Sequence, residues 1–441
     1  MRRQLVGACL AVCSIFLFSG NALSLPPVQR ALLDNGLVLL VSEEHSLPFI
    51  TFQLLVRTGS KDDPPGQEGL ADLCASCLLF GSAGKTMVQI NDELDFLGAQ
   101  ISASADEDFT TVTLRVLTKD VGSAFPIFMG ALTRPTFPAA EVEKERSRSL
   151  GAIQSSEDEP GVVAEKAFEK AVFNGGPYGH PTEGTRESVS KLNRKALSIF
   201  HQTHYLPNNS ILVVVGDIDE RLMREHIMPL LEQWPSKAHR SEVPRTAFAD
   251  TGRTIKIDKA VTQSNIVVGN GGMARDNPDY YGALVMNYIL GGGSLSSRLM
   301  EEIRNKRGLA YSVESFFQAQ KYSGSFQIVL QTKTASTNES IAAVMEEVGR
   351  IRADLVSPEE LEDAKRYLVG TFPQRFSSQS KIASFFGQVE YYGLGLDYPE
   401  RYPSLINSVT AEEVLRIART YLRPDEFIAV VVADFKAMEA K

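Results

Sequence analysis

The chain has 441 residues, 43% of them hydrophobic and 22% charged, with a mean hydropathy of −0.10 and a formal net charge of −9. That length allows two or more domains, each large enough for its own core, and the composition is that of a soluble globular protein. The acidic balance argues against nucleic acid as a partner, because phosphate backbones reward basic patches.

Residues 1–24 read as a secretory signal. Arg2 and Arg3 form a charged start, Leu5 to Phe18 an apolar run, and Asn21-Ala22-Leu23-Ser24 a small-residue exit with cleavage after Ala22 or Ser24. The run is short for a membrane span, so the mature chain is expected to be periplasmic or secreted, with no span left after cleavage. Loss of the two arginines takes the formal charge from −9 to −11.

A first domain is assigned to residues 25–235. It opens with a strand pair from Ala31 to Ser42, turned at Asp34-Asn35-Gly36, a pairing suited to the left-handed backbone of a hairpin. A strand from Phe49 to Arg57 and a helix after Gly69 follow. Met87 to Leu97, closed by Gly98, has the spacing of an amphipathic helix. Ile101 to Ala105 and Thr110 to Leu117 read as antiparallel strands, and residues 139–172 as helix with a break near Pro160.

The domain closes with a helix from Val189 to His201, then Tyr205-Leu206-Pro207-Asn208-Asn209 and the apolar run Ile211 to Val215. The same succession returns as a helix from Val409 to Thr420, Tyr421-Leu422-Arg423-Pro424 and the run from Ile428. Tyr205 and Tyr421 stand 216 residues apart, which sets the length of a duplicated domain. The second copy is assigned to residues 254–441, behind a polar linker from Ser236 to Arg253. Its strands are expected near 254–270 and 323–332 and its helices near 279–290 and 295–306. The Val409 to Thr420 helix opens with Thr410-x-x-Glu413, a capping box, and one more helix opens at Ser357-Pro358. The expected fold class is α+β: two homologous domains, each an antiparallel sheet with helices packed on one face.

Beyond the signal the cysteines number two, Cys74 and Cys77. Helical neighbours three apart lie about 5–6 Å between Cβ atoms, further than the roughly 3.5–4.5 Å of a disulfide, so both are read as buried thiols. His201-x-x-His204 is read as packing or surface rather than a metal pair, and His45, His180, His226 and His239 lack ligand spacing. Glu157-Asp158-Glu159 is read as a solvated helix break.

Residues 69–81, Gly-Leu-Ala-Asp-Leu-Cys-Ala-Ser-Cys-Leu-Leu-Phe-Gly, resemble the motif helix of the insulinase/pitrilysin zinc metallopeptidases in their short, two-domain, mitochondrial processing peptidase-like form. That family carries H-x-x-E-H after Gly-Leu-Ala. The resemblance puts Asp72 and Ser76 at the two His positions and Ala75 at the Glu that activates water. The third ligand of the family, a Glu in a pattern like Glu-Arg-x-x-x-Leu-Glu-Glu-Ile, falls in Glu145 to Ile153, where Gly151 and Ala152 replace the acidic pair. Catalytic zinc needs three protein ligands and an open position for water, and a neighbouring group must accept that water's proton. No metal or cofactor is therefore expected in this chain.

Residues 291–313 keep the other half of the family pattern. Gly291-Gly292-Gly293 is followed by Ser-Arg-Leu and by Ile-Arg-x-Lys-x-Gly-Leu-Ala-Tyr, so Arg304 and Tyr311 match the Arg/Tyr pair that family enzymes aim from the second domain at the zinc site. A guanidinium and a phenol can hold a substrate carbonyl and stabilise the oxyanion forming on it. The glycine run either lets substrate backbone approach, as the resemblance implies, or makes a tight turn between helices.

The resemblance implies two domains facing one another as a clam shell around a substrate chamber, and a division of labour between subunits. The expected function is the non-catalytic, substrate-binding subunit of a heterodimeric periplasmic zinc metallopeptidase. Zinc would reside in a homologous, motif-bearing partner, whose active site Arg304 and Tyr311 complete, and the substrate would be an extended peptide. The alternatives are an inactive peptide-binding or scaffold protein, as a homodimer or complex subunit, and a self-sufficient metalloendopeptidase using Asp72.

Overall fold

The computed structural model describes residues 27–238, 248 and 252–436. The signal segment, His239 and most of the linker expected from Ser236 to Arg253 lie outside the described residues. The first half contains strands β1 (Val28–Leu32), β2 (Val38–Glu43), β3 (Phe49–Val56), the small hairpin β4 (Gly81–Ser82) and β5 (Lys85–Thr86), β6 (Gln100–Ala105), β7 (Thr110–Leu117) and β8 (Ser210–Gly216). The second contains β9 (Thr254–Asp258), β10 (Gln263–Gly271), β11 (Ala310–Ala319), β12 (Gly324–Lys333) and β13 (Ile428–Ala433).

The first sheet runs β1-β2-β8-β3-β7-β6 and the second β11-β12-β10-β13-β9. Neighbours are antiparallel except for one parallel pair in each sheet, β2 with β8 and β9 with β13. Moving β3, β7 and β8 along the chain by the 216-residue repeat lands them within two residues of β10, β12 and β13. Read from opposite ends, the two sheets share one strand order, β1 being the first sheet's extra strand.

Local signals explain the elements. Gly36 takes φ +85° in the first hairpin, where the Leu33 amide donates to the Leu37 carbonyl at 2.9 Å. Helix α1 (Leu70–Ser76) is short, and α2 (Met87–Leu97) ends at Gly98 in the left-handed region. Helices α3 (Val121–Thr133), α4 (Ala139–Asp158) and α5 (Pro160–Val172) follow, the last two divided at Glu159 with Pro160 at the first helical position. The helix expected from Val189 instead spans Arg194–His204. The Asn193 side chain accepts from the amides of Lys195 and Ala196 and so sets a later start, behind a separate turn, Arg186–Val189, capped by Thr185. Strand β11, absent from the strands expected in the second half, carries bulky and polar residues that blur its alternation.

Helices cover one face of each sheet, as expected. The face of the first sheet bearing Leu37, Leu39, Phe52 and Leu54 packs on α1 to α4. The opposite face is covered as well, by an element of the other half. Val38, Leu40, Leu55 and Val213 pack against the helix Gln379–Tyr392, where the Gly387 backbone lies so close that a Cβ would stand 2.6 Å from a Leu55 methyl. Reciprocally, Ala164 and Phe168 of α5 cover Val267, Val430 and Val432 of the second sheet. The two halves thus exchange one helix each.

Their junction centres on Asp108, in the turn between β6 and β7 and only 3% exposed. Its carboxylate accepts from the Tyr178 hydroxyl (2.6 Å), the Lys321 amide (2.8 Å) and the Tyr392 hydroxyl (3.2 Å), and its backbone carbonyl accepts from Lys61 Nζ and the Tyr391 hydroxyl. A buried carboxylate satisfied from both halves joins them at one point.

Candidate functional site

Helix α1 starts where two stretches of backbone cross. Gly69 (φ +93°) and Gly184 (φ +79°) touch back to back, and a Cβ on Gly69 would lie 2.6 Å from the Glu183 carbonyl. Only glycine fits there, and the crossing brings Glu183 alongside α1. Asp63 serves the first turn of the helix, accepting from the Gly69 and Ala71 amides at 2.7 and 2.8 Å. Beside α1 runs α4, which presents Glu145 and Arg148 as an ion pair, with Arg148 Nε donating at 2.9 Å.

Asp72 therefore sits among charges. Burial, with the Glu183 and Glu145 carboxylates behind it, pushes the Asp72 carboxyl up to about 6 against the pull of Arg148. Among the described residues it makes no hydrogen bond or ion pair. Ala75 is buried and Ser76 half-buried, while Gly151 and Ala152 stand exposed one turn beyond Arg148 on α4.

This donor set does not fit the zinc that the family's intact motif holds. Asp72 is the one strong donor among the five motif-matching positions, Glu145 is engaged by Arg148, and that guanidinium would repel a dication from the same neighbourhood. Among the described residues, no group of three or more His, Cys, Asp or Glu side chains is placed to hold a metal ion.

The two cysteines are free and buried, as their spacing suggested, and burial pushes both thiols up. His201 is also a packing residue. Its Nε2 lies 2.8 Å from the Leu132 carbonyl, its ring stacks on Tyr205, and burial lowers its pKa to about 4.

The segment that carries Arg304 and Tyr311 is built differently. Arg304 lies in a π-helical stretch, Met300–Lys306, and Tyr311 at the start of β11, where the ladder with β12 slips between Ala310 and Ser312. Tyr311 is the additional residue of that bulge. A π-turn and a β-bulge each insert a residue that re-aims a side chain, and both recur at functional sites. Here they set the guanidinium 5.2 Å from the Tyr311 ring centroid and leave Tyr311 76% exposed. Among the described residues neither side chain makes a hydrogen bond, ion pair or ring contact with the first half.

Gly291 and Gly292 end another π-helical turn, Tyr288–Gly292, with Gly293 beyond it. A Cβ at Gly291 would meet the Ser315 amide nitrogen at 2.6 Å and one at Gly293 the Tyr288 carbonyl at 2.7 Å, so both lie against the protein's own backbone.

Sequence reasoning did not single out the open edges. β6 is the last strand of the first sheet, lies beside α1, and carries only Gln, Ile, Ser and Ala. Exposed edges are usually guarded by charge, proline or a bulge; this one has no charge and no proline. β11 is the matching edge of the second sheet. The two converge at the junction, where Gln318 Nε2 reaches Glu107 at 3.5 Å and the Lys321 amide reaches Asp108. Tyr311 stands about 23 Å back along β11 from Gln318, at about 3.3 Å per residue. The signal was the pattern Gly-x-x-x-Ser-x-Ser before an acidic turn, which reads as an ordinary strand until its neighbours are known.

Comparisons with known proteins bear on the family and the fold. The model of the insulinase family (peptidase family M16) matches residues 38–186, and that of the peptidase M16 inactive domain matches residues 191–368. Relatives include an uncharacterized zinc protease of Streptomyces coelicolor, 25% identical over 92% of this chain and 89% of its own length. Others come from Bacillus subtilis (23% identical, 92% and 98%) and Rickettsia bellii (27%, 90% and 96%), both also called uncharacterized zinc proteases. Among solved structures, a peptidase M16 inactive domain from Pseudomonas fluorescens superposes with a TM-score of 0.87 at 27% identity, covering 92% of this chain and 98% of that one. A protease from Helicobacter pylori shares the fold, with a TM-score of 0.83 at 18% identity over 93% and 100%.

Proposed function

We propose, since this chain belongs to the insulinase (M16) family of peptidases, that it is the non-catalytic, substrate-binding subunit of a heterodimeric zinc metallopeptidase in the periplasm or outside the cell. Its partner is a homologous subunit with an intact zinc motif. Zinc, held there, supplies the activated water. This chain supplies Arg304 and Tyr311, whose guanidinium and phenol hydroxyl bind the scissile carbonyl and stabilise negative charge growing on its oxygen. The substrate is an extended peptide, held by backbone hydrogen bonds along an open strand edge such as β6.

The observation that carries this reading is the asymmetry between the walls. The motif helix retains one lone carboxylate, while an inserted helical residue and an inserted strand residue present Arg304 and Tyr311 together. Coexpression with a homologue bearing H-x-x-E-H tests it. The two should copurify with zinc following the partner, and Arg304→Ala or Tyr311→Phe should lower kcat/KM of the complex by roughly 10²-fold. Unchanged activity in both variants overturns the assignment.

The open, uncharged β6 edge favours a second reading, a peptide-binding or scaffold protein without part in catalysis. That reading expects peptide binding by the chain alone, as a homodimer or in a complex lacking any zinc subunit. A self-sufficient peptidase would require stoichiometric zinc on the lone mature chain, which elemental analysis measures directly.

A further inference from the structure

The second half holds a cavity of about 180 Å3 between the helices Tyr280–Asn287, Gln379–Tyr392 and Tyr398–Asn407, lined by no residue of the motif helix or of the Arg304 and Tyr311 segment. Two guanidiniums line it, Arg275 and Arg375, and no carboxylate does. Arg275 is half-buried, with Tyr280 3.7 Å from its guanidinium carbon and its Nη2 donating to the Tyr398 hydroxyl at 3.2 Å. Arg375 is exposed and lies 5.9 Å from the Phe372 ring. Neither arginine is ion-paired among the described residues.

The cavity shares Arg375, Phe385 and Gln388 with a more open groove of about 470 Å3, to which Lys381 adds a third cation, again without an acid. The inner cavity thus carries two cations and the groove beside it two, Arg375 being common to both, with no acid lining either, in a chain with nine surplus negative charges. The Arg275 guanidinium lies against the Tyr280 ring and gives one terminal nitrogen to the Tyr398 hydroxyl; its other donors, together with the Arg375 guanidinium, can reach a planar carboxylate. A cavity of about 150 Å3 holds one benzene ring, so the inner space accommodates a single ring with its acid group.

We propose that this pocket binds an aromatic carboxylate, the ring against Tyr280, Phe385 and Tyr402 and the carboxylate between Arg275 and Arg375. The carboxylate is either that of a free small acid or the C-terminus of a peptide ending in Phe or Tyr. The site is independent of the proposed subunit role.

Calorimetric titration of the full mature protein tests it with 3-phenylpropionate, its amide, phenyl phosphate and a short peptide ending in Phe. The acid should bind in the millimolar range or tighter, and the amide roughly tenfold more weakly or not at all. Arg375→Ala, at an exposed position, should keep the melting temperature and weaken the acid by roughly tenfold, while Arg275→Lys should weaken it through loss of the bidentate edge. Tighter binding of the peptide than of the free acid assigns the source to a chain terminus; the reverse order assigns it to a small metabolite-sized acid. The proposal is overturned if the amide binds as well as the acid, if phenyl phosphate binds more tightly than both carboxylates, or if Arg375→Ala leaves the affinity unchanged.

Discussion

Asp72 is a half-buried carboxylate crowded by two others, Glu183 and Glu145, and among the described residues no donor satisfies it. Its pKa, raised from the usual carboxylate range to about 6 by burial and by Glu183 and Glu145, has a consequence for stability. The folded state holds this proton more tightly than the unfolded state does. The contribution is fully present below about pH 4 and is lost as the pH rises through about 6. Asp72→Asn removes the ionisation. The variant should gain stability over the parent between pH 4 and 6 and keep a constant advantage above about pH 7, on the order of 1–3 kcal/mol. Urea denaturation at pH 4, 6 and 8 measures it. A variant less stable than the parent at pH 8 would mean that the ionised carboxylate is engaged by a cation. The identity of Asp72, Ala75 and Ser76 was legible from the motif alone. Its surroundings were not, because Glu183 and Glu145 arrive from segments more than 70 residues away, one through the backbone crossing at Gly184 and the other on α4.

At the scale of elements, the inserted residues in the Met300–Lys306 helix and at Tyr311 do not show in hydrophobic periodicity, since one extra residue shifts a pattern without erasing it. The spacing of Arg304 and Tyr311 was readable, whereas the geometry that pairs them required the helix and strand to be seen together. The same holds for β6, whose proposed role rests on its standing last in the sheet. Because amide groups alternate along an edge strand, only every second one points away from β7. Of Ala103→Pro and Ser104→Pro, one removes a ladder hydrogen bond to β7 and the other removes an outward amide. The first should lower the melting temperature. The second should leave folding nearly intact and abolish binding of extended peptides, measured by fluorescence anisotropy with an unfolded peptide. Retained binding in both folded variants would move the peptide site off this edge.

For the whole molecule, the run Ile211 to Val215 held a signal that the one-faced arrangement left unused. Five consecutive apolar residues in a strand mean burial on both faces, and every residue of β8 is buried. What covers the second face could not be read from that run. The covering helix, Gln379–Tyr392, lies more than 160 residues downstream and belongs to the other repeat. The exchange means that neither half completes its core alone, so both should unfold in one cooperative transition. Gly387 tests the coupling. Even a bare Cβ there would stand 2.6 Å from Leu55, so Gly387→Val overpacks the contact between the exchanged helix and the first sheet, at a cost of about 1–3 kcal/mol. The single tryptophan, Trp234, is buried in the first half and reports on it by fluorescence, while hydrogen exchange in β12 reports on the second. Both probes should shift to the same lower midpoint in the variant. A fluorescence midpoint that stays in place while β12 loses protection early would show that the halves are stable independently, and that the exchanged helices pack against the sheets without tying their folding together.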